Sequence, residues 1–237
     1  MKKDEKRLKS PWKKQRILKK EDIPEQEQII DMAMEFTNLK HRALFIIAYL
    51  TAGRISEIVK RNFLYKNNYL TEKVLNEKTG LEVMRIVRNE NESPMIESRD
   101  KVELNYPGIL RRNIIFKNKQ GKDVMIVSMQ NRKSPDFKRK NIPIPIAQEA
   151  ELIRLLREYI DNLQPNDPLF DFTISKAEKI ISKINMNPHF LRDIRLTHMV
   201  TIYDFNAFHL AKFAGWKNAD PAEKYVRLGV TDLIAKY

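Results

Sequence analysis

The stretch from His41 to Leu50 (HRALFIIAYL) constrains the fold more than any other. Its periodicity predicts a helix, and Leu44, Phe45, Ile47 and Ala48 leave that helix apolar nearly all round. Such a helix must be enclosed by other parts of the protein. The longest apolar run, Ala43 to Ala52, is too short to cross a bilayer. The chain has 237 residues, of which 42% are hydrophobic, enough to build a core around it. One large domain, or a domain with a short appendage, is expected.

Other helices are expected around this one. Asp22 to Thr37 has a capping aspartate, Pro24 in the first turn, and Ile29, Ile30, Ala33 and Met34 at helical spacing. Gly53 breaks the central helix, and Ser56-Glu57 opens a short third helix through Arg61, which leaves Arg54 at the junction. Further helices are expected over 147–163, 175–184, 187 onward, 206–214 and 230–237. Asn187 is placed to cap its helix, with Pro188 as the first helical residue. Strands are expected at 113–117, 124–129 and 141–146, with a hairpin turn at Gly121 and an edge strand marked by Pro143 and Pro145. Residues 63–110 are polar and Asn-rich and read as an excursion, a hairpin plus loop, with one weak strand at Val83 to Val87. The expected class is mainly α with a small antiparallel β-sheet, α+β.

Charge is concentrated. The net charge is +13. Residues 1–20 hold ten Lys/Arg against Asp4 and Glu5, and residues 111–140 hold ten against Asp123 and Asp136. Two such segments on a near-neutral body point to a polyanionic partner. Lys13, Lys14, Arg16, Lys19 and Lys20 in the first, and Arg132, Lys138, Arg139 and Lys140 in the second, are the expected phosphate contacts. Residues 1–20 read as a basic arm. The absence of cysteine excludes disulfides, zinc–thiolate sites and thiol catalysis. No signal peptide is expected, since the basic N-terminus lacks an apolar core.

Four short patterns remain. Thr51-Ala52-Gly53-Arg54-Ile55-Ser56-Glu57 joins two helices. His189-Phe190-Leu191-Arg192 sets two basic side chains one turn apart, with Thr197-His198 following. Ala214-Gly215-Trp216 is a tight turn, and Tyr225 comes nine positions after the tryptophan. Each alone is weak, because His-x-x-Arg arises by chance, an arginine after a glycine cap is commonplace, and Tyr225 is one of eight tyrosines. Together and in this order they resemble the catalytic domain of the tyrosine recombinases, the lambda-integrase and Xer-like family. The resemblance spans roughly residues 20–230.

The resemblance implies a DNA breaking-rejoining fold over 21–237, with 63–110 as an unusual insertion and the arm 1–20 where the family keeps a separate DNA-clamping domain. It implies a site-specific recombinase acting through a covalent 3′-phosphotyrosine, without metal, ATP or other cofactor. Tyr225 would be the nucleophile, Arg54 and Arg192 the phosphate ligands, and His189 and Trp216 their helpers. The family's lysine acid falls on the basic sheet turn, where Lys133 is the first choice and Lys138 and Lys140 are rivals. Asp193 departs from the family pattern, which commonly has a second histidine there. Double-stranded DNA is the implied partner, with a homotetramer at synapsis, no membrane, and a cytoplasmic, nucleoid-associated setting in a prokaryote or mobile element. A type IB topoisomerase and a recombinase-fold protein that only binds DNA are the alternatives.

Overall fold

The computed structural model describes residues 23–77, 79–130 and 139–226. The basic arm, Asp22, Lys78, residues 131–138 and the expected helix 230–237 lie outside the described residues. The architecture mixes helices with small antiparallel sheets, as expected.

Helix α2 (Leu39–Thr51) is the centre of the core. Every residue from Ala43 to Thr51 is buried. Asn38 caps it by accepting a hydrogen bond from the His41 amide at 3.1 Å. Around it pack α1 (Gln26–Met34), α4 (Ala150–Ile160), α5 (Ile174–Ser182) and α6 (Pro188–Thr201). α1 is shorter than expected and is capped by Glu25 and Gln28, whose side-chain oxygen accepts from the Glu25 amide at 2.8 Å. α4 buries one stripe, Leu152, Ile153, Leu155, Leu156 and Ile160. Among the described residues, no helix is long and apolar enough to cross a membrane.

Strands β5 (Ile114–Lys119), β6 (Lys122–Gln130) and β7 (Arg139–Pro145) form one antiparallel sheet in that order. β7 is an edge strand, as its prolines require. Gln120 and Gly121 both take positive φ in the β5–β6 turn, the geometry of a two-residue hairpin. The inward residues Met125, Val127, Met129, Ile142 and Ile144 face the helical core.

The excursion is more ordered than the sequence suggests. β1 (Arg61–Tyr69) pairs antiparallel with β4 (Ile96–Tyr106), and β2 (Thr71–Leu75) pairs with β3 (Glu82–Ile86). The third helix, α3 (Ile55–Ile58), is therefore a single turn, and the residues expected to extend it turn into β1. β2 and β3 are solvent-exposed along nearly their whole length. The arm returns to the core at Gly108, where φ is +86° and an added Cβ would lie 2.7 Å from the Ile58 carbonyl oxygen. Only glycine fits that conformation and that approach.

Candidate active site

Three loop junctions and one strand bring the site together. The first is the end of α2. Ala52 takes a left-handed conformation there, with φ of 44°. A Cβ on Gly53 would lie 2.8 Å from Thr51 Oγ1 and 3.0 Å from Met129 Cε, so the chain passes tightly under the sheet. Arg54 follows as the N-cap of α3. Its backbone N–H donates to Glu57 Oε2 at 3.1 Å, and its guanidinium pairs with Glu57 Oε1 at 3.2 Å.

Lys140, on β7, completes this pair. Its ammonium lies 3.1 Å from Glu57 Oε2 and is about 10% exposed. Burial depresses the Lys140 pKa most; Glu57 opposes that shift, and Arg192 and Arg54 add to it. Glu57 is thus a wholly buried carboxylate that holds two cations from different elements.

Arg192 comes from α6. Asn187 caps this helix by accepting from the His189 amide at 2.8 Å, and Pro188 takes the first turn. The Arg192 guanidinium donates to the carbonyl of Ala52 and, at 3.4 Å, to that of Ala214. The left-handed residue at the end of α2 therefore supplies an acceptor that fixes the second arginine. Burial, then the nearby Arg54 charge, lower the Arg192 pKa. Arg54 shares the buried Glu57 carboxylate with Lys140, and the hydrogen bonds of the Arg192 guanidinium among the described residues go to carbonyl oxygens, so neither charge is fully matched and both can still bind an anion.

Trp216 and Tyr225 cover Arg192 from the third junction. α7 (Ala207–Ala214) ends at Gly215, whose φ of 73° closes the turn. The Arg192 guanidinium lies 5.7 Å from the Trp216 ring centre. The Trp216 and Tyr225 rings stack at 6.1 Å with planes 13° apart. Asp220-Pro221-Ala222 forms a short 3-10 turn, and residues 223–226 are helical. Tyr225 is only 2% exposed, and its hydroxyl donates to Asp193 Oδ1. Burial, then the Asp193 carboxylate, push the phenol well above its usual value, while Arg192 and Arg54 pull it back.

Arg54, Lys140, Arg192, Trp216 and Tyr225, all named from the sequence, are therefore brought together. His189 sits on the rim: its side chain is exposed, and it lines an open cleft with Gly53, Arg54, Pro188 and Arg192. Arg139 is exposed beside Lys140. Lys133, Lys138, Arg132, Lys13, Lys14, Arg16, Lys19 and Lys20 lie outside the described residues. Two contributors were not singled out for roles. Glu57 enters the sequence reading as a helix opener and as the end of the Thr51–Glu57 pattern, and its spacing of three from Arg54 is that of a capping pair. Asp193 was noted only as a departure from a pattern.

No protein-family model matches the sequence, and no curated protein matches it. Among solved structures, the chain resembles a XerH site-specific recombinase bound to its difH substrate in a pre-cleavage complex, at 12% identity and a TM-score of 0.46. It also resembles a XerH recombinase on a palindromic difH substrate in a post-cleavage complex, at 13% identity and a TM-score of 0.45. In both comparisons 92% of this chain is covered, and it spans about half, 51%, of the other.

Proposed function

We propose that this protein cleaves and rejoins double-stranded DNA through a covalent 3′-phosphotyrosine on Tyr225, as a site-specific recombinase. The observation that carries the reading is the cluster itself: two arginines, a buried lysine and a tyrosine stacked on an arginine-bound tryptophan, all from separate elements.

The chemistry follows from those groups. A phosphodiester repels nucleophiles through its charged oxygens. Forked guanidiniums on Arg54 and Arg192 bind the non-bridging oxygens and favour the extra negative charge of the pentavalent state. Tyr225 attacks phosphorus, and the 5′ oxygen departs. Lys140 protonates that oxygen: burial and the two arginines make its ammonium a stronger acid than a free lysine. Of the three lysines named from the sequence, Lys140 alone is among the described residues, and its ammonium reaches the cluster at Glu57. Trp216 walls the tyrosine, and its indole N–H is a donor for a phosphate oxygen. Religation reverses the steps and needs no ATP, because the phosphotyrosine keeps the energy of the broken bond. The basic segments supply duplex affinity, and strand exchange takes place in a homotetramer.

The test is a labelled pool of nicked duplexes with randomised arms. The expected product is a protein–DNA adduct that survives denaturation and EDTA and is absent in Tyr225→Phe. An adduct that persists in that variant removes Tyr225 as nucleophile; relaxation of supercoiled plasmid without any preferred sequence moves the reading to a type IB topoisomerase.

A further inference from the structure

Asp193 stands immediately after Arg192 on α6, and its Oδ1 accepts the hydrogen bond from the Tyr225 hydroxyl. The same oxygen lies 3.2 Å from Lys224 Nζ. We infer that Asp193 is the catalytic base of the cleavage step, taking the phenolic proton as Tyr225 attacks phosphorus.

The inference rests on the phosphotyrosine reading, and three observations carry it. First, the contact is made to the reacting atom, and it already has hydrogen-bonding geometry without DNA. Second, the charged groups other than Asp193 that bear most on the phenol are cations: Arg192 from α6, Arg54 from the α3 junction, and Lys224 over the ring face at 4.5 Å. None of these takes a proton from a phenol at neutral pH, whereas a carboxylate has free lone pairs. Third, His189, the other base named from the sequence, is an exposed rim residue, and the Tyr225 hydroxyl donates to Asp193 rather than to it.

Lys224 fixes the carboxylate against rotation, and Trp216 fixes the ring. A carboxylate near a phenol opposes its ionisation in the resting protein, so Tyr225 stays protonated until a phosphate arrives. The step balances. The Tyr225 Oη–phosphorus bond forms and the phosphorus–O5′ bond breaks. The phenolic proton passes to the Asp193 carboxylate, and the Lys140 ammonium gives its proton to O5′. In religation, protonated Asp193 returns a proton to the departing tyrosine oxygen, and neutral Lys140 receives the one from the 5′-hydroxyl.

Asp193→Asn separates chemistry from positioning, because the amide oxygen still accepts from the hydroxyl but takes no proton. The probe is the nicked duplex pool, made with either an ordinary 5′ oxygen or a bridging 5′ sulfur at the cleavable bond. Sulfur leaves without a proton, so it bypasses the lysine acid but not the base. Expected for D193N is adduct formation slowed on the order of 100-fold on both substrates. Expected for Lys140→Ala is a defect on the oxygen substrate that the sulfur substrate repairs. Tyrosine ring-carbon NMR of free D193N is expected to show Tyr225 titrating at lower pH than in wild type, a readout independent of cleavage. D193N cutting both substrates at the wild-type rate overturns the inference alone. An unmoved Tyr225 titration overturns it too. No wild-type adduct on either substrate overturns the functional reading, and the inference with it.

Discussion

Glu57 is wholly buried, and both its oxygens are used: one holds the Arg54 guanidinium, the other the Arg54 amide and Lys140. A lone carboxylate so placed would be costly, and so would the cations left without it. Glu57→Gln keeps the shape and removes the charge. It leaves Arg54, Lys140 and Arg192 facing one another without the carboxylate that stands between them. The expected loss is about 3 kcal/mol of folding stability, typical of breaking a buried pair by deleting one partner, measured by urea unfolding. The same change withdraws the group that supports the Lys140 ammonium, so that amine falls further below its usual pKa. A loss within a few tenths of a kcal/mol of zero would mean that water reaches the cluster in solution.

On the elements, α6 carries two separate charge systems on one helix. Arg192 and Asp193 serve the candidate site, while Arg195 and His198 serve the core. Arg195 is fully buried, pairs with Glu149, and lies about 5 Å from the rings of Tyr49 and Tyr203. Tyr49 hydrogen-bonds His198 Nδ1 at 2.7 Å, and His198 Nε2 lies 2.8 Å from the Pro24 carbonyl oxygen. That oxygen only accepts, so Nε2 carries the proton and Nδ1 accepts from Tyr49. The ring is thereby held neutral, and burial pushes its pKa down from 6.5 to about 4. Between those values the unfolded chain binds more protons than the folded one. This contribution is full above pH 6.5 and is lost as pH falls through 4, amounting to about 3 kcal/mol. Urea unfolding from pH 7 to 4 is expected to show that fall, and His198→Leu to flatten it. Element by element, α2 was legible because a helix apolar all round has one solution, and β5 to β7 because short apolar runs are set off by the Gly121 turn and by Pro143 and Pro145. β1 and β2 were not, since exposed strands have no inward face to make a period. The place of Lys140 was not legible either: the sequence sets it in one basic stretch with Lys133 and Lys138, which lie outside the described residues, and its register across from Met129 is what delivers it to Glu57.

For the whole molecule, charge divides the labour. Residues 61–106 hold eight Lys/Arg and eight Asp/Glu, so the β-arm is neutral in a chain of net charge +13. The excess lies in residues 1–20 and 111–140. Phosphate contacts release counterions, and each steepens the salt dependence of binding by about 0.9 in log–log slope. Deleting residues 1–20 is expected to flatten that slope, and replacing 71–95 with a tight turn to leave it unchanged, both by filter binding over a salt series. A shallower slope in the second variant would put the arm on DNA. The division of the candidate site between distant parts of the chain also has a bearing on biosynthesis. Glu57 leaves the ribosome 83 residues ahead of Lys140, and Asp193 another 32 ahead of Tyr225. At translation speeds of about 5–20 residues per second, several seconds separate the first of these residues from its sheet partner. A nascent chain therefore holds Arg54 and Glu57 before Lys140 is made, and Arg192 before Tyr225, so the buried cluster closes only once the last part of the chain has been made.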